Sequence, residues 1–106
     1  MVKSIGKNKI SCAVFISGNG SNLKSIYNYS KKKSSKIEIK LVISDKANVG
    51  GIKFAKEKAI KNKVIKFNNK SKAEEQILKI LIKKEIKLIF LAGFMKILSK
   101  KFIKTF

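Results

Sequence analysis

The chain has 106 residues, with 26 lysines, no arginine, six acidic residues and a formal net charge of +20. Its 44% hydrophobic content excludes a disordered chain, and no apolar run approaches the roughly 18 residues of a membrane-spanning helix. One cysteine, Cys12, excludes an intrachain disulfide, and the absence of histidine removes the commonest general base and metal ligand. Residues 1–11 are basic and polar and lack the apolar core of a signal peptide. We therefore expect one cytoplasmic domain without a membrane anchor or a metal ion.

The strong positive charge raises the question of nucleic-acid binding. Every basic residue is lysine, whereas arginine is the favoured residue for bidentate contacts to phosphate and guanine. The abundance of lysine, isoleucine and asparagine together indicates a compositional bias of the whole chain. We expect only nonspecific charge attraction to nucleic acid, and a basic nucleic-acid-binding module stays as an alternative.

In chain order, apolar patterning predicts strands that alternate with helices. The strands are predicted at residues 12–17, 37–44, 63–67 and 86–92, and the helices at residues 21–29, 49–61 and 71–84. The apolar stripes of these helices are Leu23, Ile26 and Tyr27; Ile52, Ala55, Ala59 and Ile60; and Ile77, Leu78 and Leu81. Ser71 and Glu74 predict a capping box at the third helix. Phe102, Ile103 and Phe106 predict one face of a final helical turn or two.

This alternation, with nearly continuous apolar strands, is typical of an α/β fold with a Rossmann-like parallel sheet and helices on both faces. Cys12 falls inside the first strand, where we expect it to be a small buried hydrophobic residue. Ligands of such sheets bind beyond the carboxyl ends of the strands. Three loops follow those ends: the first loop (residues 17–22), the second loop (residues 44–51) and the third loop (residues 93–98).

The first loop reads SGNGSN and predicts an anion-binding site. Gly18 and Gly20 permit positive φ angles and close approach of a ligand. Ser21 and Asn22 open a helix, so we expect their backbone N–H groups to have no partner within that helix and to face a phosphate. Side chains of the loop, including Ser17, can donate further hydrogen bonds. The alternative is a glycine-rich turn with an ordinary helix cap.

A dinucleotide-binding domain is the second alternative. Gly18 and Gly20 match the first two glycines of the G-x-G-x-x-G fingerprint, and Asp45 stands where an acidic residue would bind the ribose. The third glycine is replaced by Leu23, and no Walker G-K-[ST] sequence follows. In the third loop, Phe94, Met95, Ile97 and Leu98 predict either core packing or a wall for a flat heteroaromatic ligand.

Residues 16–23 (ISGNGSNL) and 91–99 (LAGFMKILS), with residues 42–55 (VISDKANVGGIKFA) between them, resemble the phosphoribosylglycinamide formyltransferase family. The resemblance implies transfer of a formyl group from 10-formyltetrahydrofolate to glycinamide ribonucleotide in purine biosynthesis. It implies that Gly20, Ser21 and Asn22 bind the substrate phosphate. It implies folate contacts for Lys72, Met95, Lys96, Ile97 and Leu98, with Phe94 alongside. Formyltransferases that act on tRNA and formyl hydrolases share the architecture, but the GNGSNL sequence favours the ribonucleotide enzyme.

The chain departs from the family pattern at several positions. Lys96 stands where the family usually has arginine, and Lys72 corresponds to a second such arginine. The family's catalytic asparagine, histidine and aspartate lie beyond a stretch such as residues 98–106, and this chain supplies none of them. The resemblance therefore implies a single, incomplete amino-terminal domain that has no catalytic residues and is inactive alone. We expect it to bind the ribonucleotide weakly. Because the last strand edge and one apolar face would be uncovered, we expect it to dimerise, aggregate or remain partly molten.

Overall fold

The computed structural model describes residues 9–106 and contains a four-stranded sheet. Its strands are β1 (Ile10–Ile16), β2 (Ile37–Ser44), β3 (Asn62–Val64) and β4 (Leu88–Leu91). All pairings are parallel, and the strand order is β3-β2-β1-β4. The predicted parallel Rossmann-like sheet is confirmed. Most of the basic start that we interpreted as lacking a signal peptide, residues 1–8, lies outside the described part of the chain.

The central strand β1 is buried because helices cover both faces of the sheet. Successive strand residues point to opposite faces, and Phe15 joins one core cluster while Val14 and Ile16 join the other. Cys12 is fully buried in the same strand, as predicted. Burial raises the pKa of its thiol, although a backbone hydrogen bond at Glu38 acts in the opposite direction.

The helices are α1 (Ser21–Ser30), α2 (Gly50–Glu57), α3 (Lys70–Lys83) and α4 (Lys100–Thr105). Helices α1 and α2 pack on one face of the sheet, and α3 and α4 pack on the other. The buried apolar side chains of the helices are Leu23, Ile52 and Ala55 on the first face, and Ala73, Ile77, Leu81 and Phe102 on the second. Within residues 9–106, no helix is both long enough and apolar enough to cross a membrane.

One helix boundary differs from the prediction by more than one residue. Helix α2 ends at Glu57 rather than at residue 61, because Ala59 adopts a left-handed conformation with a φ of 58°. The N–H of Ile60 then bonds to the carbonyl of Ala55, and that of Ala59 to the carbonyl of Lys56, which is the Schellman pattern of a helix end. Ala59 is consequently exposed and is not part of the apolar stripe.

The predicted capping box of α3 is wrong. The helix is capped by Asn69, whose side chain accepts a hydrogen bond from the N–H of Lys72 at 3.1 Å. Ser71 lies inside the helix, and Glu74 is directed elsewhere. The prediction for the last helix is right for Phe102, which is buried, but Ile103 and Phe106 are exposed.

The ends of three strands differ by one to three residues from the predicted ends. β1 begins two residues earlier than predicted, and β2 has the predicted bounds. β3 stops at Val64 because the chain leaves the sheet after Ile65 donates to the carbonyl of Ser44. β4 is shorter than the predicted span of 86–92, but Lys87 and Ala92 still donate to carbonyls of β1 at 2.9 Å.

Candidate functional site

Ser17 joins the three loops that follow β1, β2 and β4. Its Oγ donates a hydrogen bond to Asp45 Oδ1 at 2.5 Å and accepts one from the N–H of Met95 at 2.8 Å. The N–H of Gly51 also donates to the carbonyl of Gly18 at 3.1 Å. The three loops therefore meet at the carboxyl edge of the sheet, as predicted. The prediction that the Ser17 side chain can donate to a ligand is wrong, because the residue is 5% exposed and its hydroxyl already donates to Asp45.

The first loop depends on close contact between two glycines. Gly20 has a φ of 84° and caps α1 in the left-handed region, and a Cβ at this position would lie 2.6 Å from the Cα of Gly51. A Cβ on Gly51 would lie 2.2 Å from the Cδ1 of Ile16. Only glycine fits both positions without rearrangement. Gly18 does not have a positive φ, and a Cβ there would have no neighbour within 4 Å.

The amino end of α1 faces solvent, but one of its amides is already paired. Asn19, Ser21 and Asn22 are exposed, whereas Gly20 and Leu23 are buried. The N–H of Ser21 donates to the side-chain Oδ1 of Asn19, which lies outside α1, at 3.0 Å. Asn19 is itself exposed, so its oxygen is the group that an anion would have to displace from the Ser21 amide.

In the second loop, Asp45 lies beneath the surface. It is 5% exposed, its Oδ1 accepts from Ser17, and its Oδ2 has no hydrogen-bond partner among residues 9–106. A ribose-binding carboxylate must reach two exposed hydroxyl groups of a ligand. The burial of Asp45 therefore removes the acidic residue on which the dinucleotide alternative depends.

The third loop presents an open outer surface and an anchored inner surface. The side chains of Met95 and Ile97 are 71% and 80% exposed, and Lys96 is also exposed. Phe94 packs edge-to-face on Phe15, with ring centroids 5.4 Å apart. Leu98 is partly buried against the same core cluster. Core packing thus accounts for Phe94 and Leu98, whereas Met95, Lys96 and Ile97 stay available to a ligand.

Lys72, the remaining residue of the predicted folate site, is exposed in the first turn of α3. Among residues 9–106, its side chain makes no hydrogen bond to the third loop. The structure brings Ser17, Asp45 and Met95 together, but it does not join Lys72 to them by a direct contact.

Glu74 holds the end of the third loop, a role that sequence patterns did not predict. Its Oε2 accepts from the N–H of Ser99 at 2.7 Å, and its Oε1 accepts from the Ser99 Oγ at 2.5 Å. Ser99 in turn caps α4 by accepting from the N–H of Phe102. Glu74 lies three and seven residues before the buried Ile77 and Leu81. That helical spacing was the available signal that this carboxylate faces inward.

Two of the aromatic rings, Tyr27 and Phe54, are not open to stacking by nucleic-acid bases. The rings of Tyr27 and Phe54 pack edge-to-face with their centroids 5.4 Å apart. Ammonium groups of Lys24, Lys31 and Lys58 lie 5.3 to 5.8 Å from these two ring centroids. Bases bind single-strand platforms by lying flat on open aromatic faces, and lysine side chains cover these faces here.

The profile of the formyl transferase family matches residues 10–106. The trifunctional purine biosynthetic protein adenosine-3 of Gallus gallus is 40% identical over 103 residues, which cover 94% of this chain and 10% of that protein. The phosphoribosylglycinamide formyltransferase of Haemophilus influenzae is 37% identical over 97 residues, which cover 89% of this chain and 46% of that protein.

Solved structures give the same result. The phosphoribosylglycinamide formyltransferase of Brucella melitensis superposes with a TM-score of 0.87 at 35% identity, covering 92% of this chain and 52% of that one. The enzyme of the same name from Coxiella burnetii gives a TM-score of 0.83 at 36% identity, covering 92% and 47%. This chain thus spans about half the length of these proteins and about a tenth of the trifunctional relative.

Proposed function

The chain belongs to the formyl transferase family, and we propose that it supplies the phosphate-binding loop and part of the folate-binding surface of a phosphoribosylglycinamide formyltransferase. The whole enzyme would transfer the formyl group of 10-formyltetrahydrofolate to the amine of glycinamide ribonucleotide. In this proposal the described residues form its cytoplasmic amino-terminal domain.

The joining of the three loops by Ser17 is the observation that carries the proposal. It gives one edge of the sheet two different surfaces, a helix terminus at Ser21 and Asn22 and an apolar segment at residues 93–98. The first suits an anion, because helix amino ends combine free amides with a positive dipole end. The second suits a flat ring. A substrate phosphate and a folate ring are two ligands that this pair of surfaces would hold side by side.

We assign the substrate phosphate to the amides of Gly20, Ser21 and Asn22. The left-handed conformation of Gly20 directs the chain into α1, and its contact with Gly51 holds the loop rigidly. A phosphate there would replace Asn19 Oδ1 as the hydrogen-bond acceptor of the Ser21 N–H. The lysine-rich surface would attract the same ligand through its long-range field.

We assign the folate ring to the third loop. Met95 and Ile97 would supply apolar contact, while backbone groups of Lys96 and Leu98 would bond the ring edge. A backbone contact does not require the guanidinium that the family usually has at position 96. Lys72, exposed at the start of α3, would serve as a cation for the acidic part of the cofactor.

Formyl transfer joins the substrate amine nitrogen to the formyl carbon and breaks the bond from that carbon to the folate N10, which takes up the proton. The transition state needs a donor for the developing oxyanion and a proton relay. These 106 residues contain no histidine, and the catalytic asparagine, histidine and aspartate of the family correspond to none of them. We therefore assign binding, and no catalytic residue, to this part of the enzyme.

Calorimetric titration of the 106-residue protein at about physiological salt tests the proposal. Glycinamide ribonucleotide should bind weakly but saturably, at one site, whereas NADH and a single-stranded oligonucleotide should give no saturable signal. Saturable NADH binding would favour the dinucleotide alternative. Equal, salt-sensitive heats for every anion would show attraction by charge alone.

A further inference from the structure

Two of the six acidic residues, Asp45 and Glu74, are buried. Among residues 9–106 neither forms an ion pair; the pair found there joins Lys40 to Glu38 at 3.4 Å on the surface. Burying a carboxylate is costly unless hydrogen bonds compensate it. In a chain with so many lysines, two buried acids without lysine partners indicate that both carboxylates have a specific task.

Both carboxylates act on the third loop. Asp45 orients the Ser17 hydroxyl, whose oxygen accepts from the N–H of Met95 at 2.8 Å. Glu74 accepts from the N–H and the hydroxyl of Ser99 at 2.7 and 2.5 Å. The third loop is therefore held on its buried side at two positions. Ser17 and Asp45, of the first and second loops, hold it at Met95, and Glu74 of α3 holds it at Ser99.

The exposed side of the loop is left open by this arrangement. Met95 and Ile97 point their side chains to solvent, while residues 93–99 belong to no helix or strand. A loop held in this way has less conformational freedom to lose when a ligand binds. Besides the packing of Phe94 and Leu98 on the core, its conformation depends on serine hydroxyls and carboxylates rather than on a ladder of backbone hydrogen bonds.

We propose that Asp45, acting through Ser17, and Glu74, acting through Ser99, are positioning residues that hold the third loop in the form that receives the folate ring. The identity of the ligand rests on the proposed function. The anchoring is a property of the chain alone, so it is measurable without any ligand.

The first test is amide hydrogen exchange of Met95 in the 106-residue protein. Ser17→Ala should accelerate this exchange by about fivefold to tenfold, the effect of losing one hydrogen bond. Ser35→Ala is the matched control, because Ser35 is equally buried and also makes two hydrogen bonds, but at the opposite end of β2. It should leave the Met95 rate unchanged.

The role of Asp45 is tested by two substitutions. Asp45→Ala should accelerate Met95 exchange by a few-fold, whereas Asp45→Asn keeps an acceptor for Ser17 and should restore the parental rate. A merely structural role would instead accelerate exchange in β1 and β4 to the same extent as in Met95. That uniform pattern, or an unchanged Met95 rate in Asp45→Ala, would overturn the proposal for Asp45.

Glu74 has an adjacent control on the same helix. Glu74→Ala should accelerate exchange of the Ser99 amide by about tenfold or more, because the acceptor is charged, and Glu75→Ala, at an exposed position, should not. Equal rates in the two variants would refute the role of Glu74.

Titration with 5-formyltetrahydrofolate and with inorganic phosphate separates this proposal from the proposed function. Glu74→Ala should weaken folate binding several-fold and leave phosphate binding unchanged. Unchanged folate affinity in a variant with a released loop would overturn the positioning role. If the parent protein binds no folate at all, the proposed function fails, and the exchange rates alone decide whether the carboxylates hold the loop.

Discussion

Replacement of Gly20 by alanine should be among the most damaging small changes in this chain. The new Cβ would lie 2.6 Å from the Cα of Gly51 and 3.2 Å from its nitrogen, both backbone atoms that cannot rotate away. Alanine must also adopt the φ of 84° that glycine has here. The left-handed conformation costs about 1–2 kcal/mol, and overpacking adds about 1–3 kcal/mol. The free energy of unfolding should therefore fall by about 2–5 kcal/mol.

Urea denaturation of Gly20→Ala and Gly18→Ala measures this effect with a control in the same loop. A Cβ on Gly18 meets nothing within 4 Å, and its φ lies outside the left-handed region. Alanine there restricts the unfolded chain and should stabilise the protein by about 0.4–1 kcal/mol. Equal denaturation midpoints for the two variants would show that the contact between Gly20 and Gly51 does not determine the structure of the loop.

Three further predictions concern other parts of the chain. Burial shields Cys12 from solvent and raises the pKa of its thiol. A thiol reagent at pH 8 should therefore react with Cys12 far faster in denaturant than in buffer, and equal rates would contradict the buried position. The purified 106-residue protein should show no formyl transfer above background, and turnover that persists through further purification would disprove this. β4 is an edge strand of the described sheet, and its Leu91 is exposed. Sedimentation should therefore show self-association that increases with protein concentration and that Leu91→Lys reduces. A monomer mass that does not change with concentration would argue against an open edge.

The layout of the sheet was predictable because its signals are local and repeated. The apolar runs of β1 and β2 and the glycine breaks after β1 and β4 specify strands and loops independently of the rest of the chain. Parallel strands then require their carboxyl ends to share one edge. The meeting of the three loops followed from this rule without knowledge of any side-chain contact.

The contacts inside the site were not predictable in the same way. The hydroxyl of Ser17 looked like a ligand donor, but it bonds Asp45 and Met95, which lie 28 and 78 residues away in sequence. The capping-box spacing of Ser71 and Glu74 is a local pattern, and the long-range contact of Glu74 with Ser99 prevailed over it. The end of α2 depends on the left-handed conformation of Ala59, which alanine rarely adopts and for which no sequence signal exists.

The central claim is that amides at the start of α1 bind the phosphate of the substrate. Two-dimensional NMR spectra of the 15N-labelled protein, recorded during titration with glycinamide ribonucleotide and with the matching unphosphorylated riboside, test it directly. The account predicts that the signals of Gly20, Ser21, Asn22 and the Asn19 side chain shift with the phosphorylated ligand alone. Those signals remaining in place, while amides of lysine-rich surfaces elsewhere shift, would contradict it.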